Sequence, residues 1–316
     1  MRIRLFAPRY WPTWLGLGLL RTLAVLPFGW LIPMGTGLGA LMLSLGLPFT
    51  RTARRNIELC LPQLSAAERE SLLARHFASL GISLFETAFT WWASPERFRR
   101  IVKIDGTEHL EAALARGQGV ILLTAHFTTL EIGARILASV RPTSFLYRPT
   151  RNEALAWSLA RCRCRFGGHP IPRDDIRALI KALKHNECVW YAPDQSYRKK
   201  GAQMVELFGI PAATNTFTSR LARMTGATVL PYFFERLPGS LGYRAVIHPA
   251  FDNFPSDSSV ADTERYNQLI EAQVRKVPEQ YLWIHRRFKG LTEDYPDYYG
   301  PAVKVSGTTA TPPTRL

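Results

Sequence analysis

His126 and Glu131, a histidine five residues ahead of a carboxylate, are the pair in this chain whose types and spacing best suit acid–base chemistry. An imidazole takes up and returns a proton near neutral pH, and a carboxylate beside it fixes its tautomer and stabilises the imidazolium. In one continuous helix, five residues would turn the two side chains about 140° apart. They meet only if His126 stands just before a helix and Glu131 reaches back from its first turns. The surrounding residues suggest such a corner. Val120 to Ala125 is a short apolar run, β-branched at its start and preceded by Gly117 and Gly119, so it reads as a buried strand. Leu130, Ala134 and Leu137 then share one helical face, so a helix is expected within a residue or two of His126. Open α/β sheets place their sites at such corners. On spacing alone, a partly buried histidine and an exposed helical glutamate would look the same.

Charged residues recur where other strands are expected to end: Arg148 after Tyr147, Arg173 after Pro172, and Asp194 after Pro193. Each has an ordinary reading, as a solvated strand end or a turn residue. Together on one sheet edge they resemble the makings of a site. Two guanidinium forks beside a histidine suit a phosphate-bearing substrate. No Ser or Cys sits in a nucleophile elbow and no glycine pattern makes a phosphate loop, so a general base activating a substrate hydroxyl is the expected chemistry.

The elements that must hold these residues alternate. Strands are expected at Val102 to Ile104, Phe145 to Tyr147, His169 to Pro172, Cys188 to Ala192, Thr228 to Phe234 and Tyr243 to His248. Helices are expected across 107–116, 153–165, 174–184, 214–224 and 262–277. That order predicts an α/β fold, a mostly parallel sheet flanked by helices. Before it, Ser65-Ala-Ala-Glu68 is a capping box, Leu80 to Trp92 a further helical stretch with Glu86 its only charge, and Ser94-Pro95-Glu96 a short helix start. Residues 1–50 are assigned to an N-terminal membrane anchor, 51–105 to a helical segment, 106–300 to the α/β domain and 301–316 to a disordered tail.

The chain's 40 Lys and Arg against 25 Asp and Glu give a net charge of +15, which points to an anionic partner. Basic-aromatic repeats of the kind that bind nucleic acid are missing. Membrane lipid fits better, because no charged residue lies between Arg21 and Arg51, and tryptophans at 11, 14 and 30 suit a membrane interface. Arg21, Pro27 and Pro33 interrupt this stretch, so it reads either as one tilted transmembrane helix or as a broken segment dipping into one leaflet. Cys60, Cys162, Cys164 and Cys188 have neither zinc-type nor CxxC spacing and read as reduced thiols.

His126-Phe-Thr-Thr-Leu-Glu131 resembles the histidine–four residues–acid motif of the glycerolipid acyltransferase superfamily, with Arg173, Pro193-Asp194 and Val229-Leu-Pro231 resembling its later blocks. From Pro8 to Lys289 the chain is similar to the lipid A biosynthesis lauroyl acyltransferases. The matching stretches include Arg55-Asn-Ile-Glu-Leu-Cys60, Val189-Trp-Tyr-Ala-Pro-Asp-Gln195 and Pro278-Glu-Gln-Tyr-Leu-Trp-Ile-His-Arg-Arg-Phe-Lys289. The resemblance implies an enzyme of the bacterial inner membrane with its catalytic domain at the cytoplasmic face. It would move a fatty acyl chain such as laurate from acyl carrier protein to a hydroxyl of an anionic, Kdo-bearing lipid A precursor. No metal or other cofactor and no covalent intermediate are implied. His126 would be the base and Glu131 its orienting partner, with Arg148, Arg173 and Asp194 lining the substrate site. Tyr197-Arg-Lys-Lys200 and Glu206 depart from the family pattern, and His285-Arg-Arg287 reads either as a phosphate contact or as a structural cluster. The nearest alternatives are a lysophosphatidic acid acyltransferase and a non-catalytic membrane protein that binds anionic lipid.

Overall fold

The computed structural model describes residues 3–147 and 150–300. Five helices come first: α1 (Trp11–Leu23), α2 (Phe28–Ser44), α3 (Pro48–Cys60), α4 (Ala66–Trp92) and α5 (Pro95–Arg99). The alternating part follows as β1 (Val102–Asp105), α6 (Thr107–Leu114), β2 (Val120–Leu123), α7 (Leu130–Val140), β3 (Thr143–Tyr147), α8 (Glu153–Cys164), β4 (Gly168–Pro172), α9 (Ile176–Lys184) and β5 (Cys188–Tyr191). It closes with β6 (Ala202–Leu207), β7 (Ile210–Asn215), α10 (Phe217–Thr225), β8 (Thr228–Arg236), β9 (Tyr243–Ile247) and α11 (Ser259–Lys276).

Seven strands form one sheet in the order β1-β9-β8-β2-β5-β3-β4, parallel at every pairing except β8 with β9. The expected α/β architecture is therefore present. β2, with all four residues buried, lies at the centre between β8 and β5. β2 leads through α7 toward β3 on one side, whereas β5 leads to β8 on the other, so the chain reverses direction between them. A crevice opens at such a switch point beyond the carboxyl ends of the strands. β6 and β7 make a separate antiparallel hairpin that the sequence reading did not foresee. Its strand–turn–strand pattern spans Phe208 and Gly209, both at positive φ, with Phe208 an unusual residue for that conformation.

The helical layer is built around α4. The capping box is formed as expected: the Glu68 backbone N–H donates to Ser65 Oγ, and the Ser65 N–H donates back to the Glu68 carboxylate. The two stretches read separately, at 65–77 and 80–92, are one 27-residue helix. Glu86 is buried in it, and its charge is met by Arg236 at the end of β8 and by the Tyr243 hydroxyl of β9. At the C-terminal end of the same helix, just past Glu86, Arg135 of α7 is also buried. It donates to the terminal carbonyls of Phe89, Thr90 and Ala93 and lies over the rings of Phe98 and Phe166. A helix C-terminus is a favourable place for a cation, because its last carbonyls lack partners.

α2 approaches α4 closely because three glycines face one another. A Cβ at Gly39 would fall 2.1 Å from the Phe77 carbonyl oxygen, and one at Gly81 would fall 2.1 Å from that of Gly35. Gly35 and Gly39 are four apart and form the one side of α2 that is buried together with Leu31. The opposite side exposes Trp30, Met34 and Leu41. No helix among the described residues is long and apolar enough to cross a bilayer alone; α2 and α3 pass that test only as a pair bent by 96°. The expectation of one tilted spanning helix is thus not met. Pro27 starts α2 afresh, and Arg97 donates to the carbonyls of Ala24 and Leu26, pinning the elbow between α1 and α2.

Gly39→Ala should force α2 off α4 at a cost of about 1–3 kcal/mol, the usual range for overpacking, and lower the thermal unfolding midpoint. Gly37→Ala on the same helix is the control. Its Cβ would meet nothing within 4 Å, so the midpoint should hold or rise.

Candidate active site

Leu123 of β2 pairs with Tyr191 of β5, and the Thr124 N–H donates to the Tyr191 carbonyl. Both chains leave the sheet at the same level, so three residues later His126 and Asp194 arrive side by side. His126 Nδ1 lies 2.6 Å from Asp194 Oδ1, and the His126 backbone N–H donates to Oδ2 at 3.0 Å. The Tyr281 hydroxyl also donates to Oδ2, at 3.3 Å. A carboxylate accepts only, so Nδ1 must carry the proton and Nε2 keeps its lone pair in the neutral ring. Nε2 has no hydrogen-bond partner among the described residues, and the ring lines an open cleft of about 890 Å³.

Burial alone would lower the His126 pKa, but the charge of Asp194 and its hydrogen bond outweigh burial and hold it above the ordinary value. Burial likewise pushes the Asp194 carboxyl up. The His126 charge and hydrogen bonds, with Arg287 adding its field, prevail and hold it below the ordinary range. Each partner thus stabilises the charged form of the other, as a general base and its orienting carboxylate require.

The expected contact between His126 and Glu131 is not formed. Residues 127–129 make a bridge and a turn, so α7 begins at Leu130, later than expected. From the first turn of that helix Glu131 faces α4 and α8 instead of reaching back. It pairs with the Arg163 guanidinium and accepts from the Trp91 indole N–H at 3.1 Å. Asp194 corrects a second expectation. It does not line the cleft but lies beneath the imidazole with 3% of its surface exposed. Arg173 does line the cleft, half-exposed, with Asp174 nearby. Arg148 lies outside the described residues.

Two features were missed by sequence reasoning. Arg163 stands on the cleft wall, yet in the sequence it is one of several arginines on a helix. The second is the segment after α11. Phe127 bridges Tyr281, the Leu282 N–H donates to the His126 carbonyl, and the Thr128 N–H donates to that of Gln280, so this strap fixes the backbone from His126 to Thr128. Of the two readings of His285-Arg-Arg287, the structural one fits the contacts that His285 and Arg287 make. His285 Nε2 accepts from the Ser196 N–H, and burial lowers its pKa to about 4, so it is neutral. Arg287 is buried and donates to the Ala213 carbonyl and to Thr214 Oγ1. His285 shapes the loop that carries Asp194, Arg287 fixes β7, and neither lines the cleft. Around the mouth, Arg198, Lys199, Lys200 and Arg220 join Arg173, and of the basic residues here only Lys199 and Arg173 have an acid, Asp174, within ion-pair distance.

A sequence model of the family described as bacterial lipid A biosynthesis acyltransferase matches residues 1–290. The lipid A biosynthesis lauroyltransferase of Escherichia coli is 38% identical over 296 residues, covering 93% of this chain and 97% of the relative. The lipid A biosynthesis palmitoleoyltransferase of the same organism is 39% identical over 287 residues, 89% of this chain and 92% of its own length. A lipid A biosynthesis acyltransferase of Haemophilus influenzae is 36% identical over 287 residues, 90% of this chain and 92% of its own.

Asp194→Asn removes the charge that raises the His126 pKa while keeping the side chain's shape. Turnover should fall by about 10²–10⁴-fold. What remains should keep its acidic limb, moved to lower pH because the histidine then loses its proton more readily. A limb that stays in place would remove Asp194 from this role.

Proposed function

The chain belongs to the bacterial lipid A biosynthesis acyltransferase family and is an acyltransferase, and on that premise we propose that it moves a fatty acyl chain from acyl carrier protein to a hydroxyl of a Kdo-bearing lipid A precursor. The observation that carries this reading is His126: Nδ1 committed to a buried carboxylate, Nε2 facing a cleft with a basic mouth. Nε2 takes the proton of the acceptor hydroxyl as its oxygen attacks the thioester carbonyl. The tetrahedral intermediate then expels the carrier's thiolate, the carbon–sulfur bond breaks, and the imidazolium returns the proton to sulfur. The products are an ester and a free thiol. Arg163, held on the cleft wall by Glu131, is the cation we assign to the developing oxyanion, because its partner fixes it in place. In this reading Glu131 acts by positioning Arg163 and leaves the imidazole to Asp194.

The basic mouth supports an anionic acceptor, since guanidinium and ammonium groups complement phosphate oxygens. It also supports an acidic carrier as donor, with encounter slowed by salt. Attachment to the inner membrane is supported by the outward stripe of Trp11, Leu15 and Leu19 on α1, continued by Trp30, Met34 and Leu41 on α2. Spaced at helical intervals and flanked by arginines, such stripes suit an interface-lying segment as well as a broken span.

Mass spectrometry of lipid A tests the reading. Cells lacking the protein should yield a species short of one acyl chain, and the wild-type chain should restore it. His126→Ala, with unchanged thermal stability and membrane fractionation, should fail to restore it, its turnover lower by about 10²–10⁴-fold. Unaltered lipid A with a changed phosphatidic acid pool would assign the activity to a lysophospholipid acceptor instead.

A further inference from the structure

On the far side of α8 from the His126 cleft lies a second opening, of about 1000 Å³, to which the proton-transfer and acyl-transfer steps above assign no part. Its walls are aromatic. Trp14 of α1 meets Trp157 of α8 edge to face at 6.1 Å, and Trp91 and Trp92 at the end of α4 meet at 5.5 Å. Three exposed arginines, Arg21, Arg161 and Arg165, stand among its lining residues, and no acidic side chain does so among the described residues. Two of its walls are tied to each other, because the Asn152 side chain at the start of α8 donates to Thr13 Oγ1 of α1 at 2.7 Å.

This opening is coupled to the chemistry. Ala160 lines both it and the cleft, so only the width of one helix, about 10 Å, separates them. Trp91, part of its wall, donates to the Glu131 carboxylate that holds Arg163. The volume is that of a site for a small molecule. A polar ligand would leave its hydrogen bonds unmet against four indole faces, and a plain hydrocarbon would make no use of three arginines. An amphipath with an apolar chain and an anionic head satisfies both.

We propose that the groove lodges one acyl chain of the phosphorylated acceptor lipid while the reacting hydroxyl of that lipid lies at His126. This rests on the acceptor reading above and adds where the acceptor's bulk goes. The chain packs on the tryptophans, the arginines meet the headgroup, and the molecule straddles α8. The groove thereby selects an acceptor that already carries long chains.

Cys162, half-buried, lines the groove and serves as its reporter. In a Cys164→Ser protein, Cys60 and Cys188 are buried, so maleimide labelling followed by mass spectrometry reads Cys162. The Kdo-bearing lipid A precursor should slow that labelling severalfold, and its fully deacylated headgroup should not. Equal protection by both, or protection by neither, would overturn the proposal. In the full-length enzyme, Gly18→Phe should fill the groove from α1, where an added Cβ meets nothing within 4 Å. KM for the acceptor should rise about tenfold or more, as when methylenes are excluded from a pocket, with kcat retained. An unchanged KM in the folded variant would equally overturn it. If the wild-type enzyme transferred no acyl chain to this acceptor, the acceptor reading itself would fail, while the labelling result would still decide whether the groove takes a lipid chain.

Discussion

A carboxylate with almost no contact with water must be fully partnered or it destabilises the fold that contains it. Asp194 meets that condition by receiving the imidazole N–H, the backbone N–H of His126 and the Tyr281 hydroxyl. Those bonds tie together the ends of β2 and β5 and the strap after α11. They also commit one ring nitrogen and leave the other for a substrate. Burial strengthens the arrangement, because a paired charge away from water interacts through a lower effective dielectric.

The helical layer carries a second buried charge network that reaches the same corner. Arg236, paired with Glu86 of α4, donates to Ser79 Oγ at 2.9 Å, and Ser79 Oγ bonds Thr128 Oγ1 at 2.7 Å, two residues past the histidine. The Gln280 side chain bonds the Arg236 backbone at both its N–H and its carbonyl. α4 thus meets the glycines of α2 with Gly81, the loop after His126 with Ser79 and the Glu131–Arg163 pair with Trp91. One helix connects the apolar N-terminal layer to both halves of the site, which accounts for its unbroken length across a stretch whose composition suggested two elements.

Much of this was legible in the sequence. Alternating short apolar runs and helical periodicities placed all seven strands of the large sheet and the corner at His126. The order of the blocks pointed to the family. The partner of the histidine was not legible, since it is set by register between β2 and β5, a long-range property that local spacing does not carry. Glu131 stood close in sequence and Asp194 far away, yet the pairing of Leu123 with Tyr191 brings Asp194 to the ring. The helix start at Leu130, later than periodicity implied, turned Glu131 toward Arg163. The hairpin β6–β7 was missed because β6 mixes polar and apolar residues without regular alternation and β7 contains Pro211. The break between α1 and α2 was visible in Pro27, but the glycine-mediated contact that holds α2 on α4 needed the partner helix to be seen.

Asp194, and not Glu131, holds the His126 imidazole. Nitrogen-15 labelling of histidine, read by NMR on the detergent-solubilised enzyme, reports the proton on Nδ1 directly through its strongly downfield, hydrogen-bonded resonance. That resonance, identified by its loss in His126→Ala, should survive in Glu131→Gln and vanish in Asp194→Asn. Its survival in Asp194→Asn together with its loss in Glu131→Gln would contradict the account.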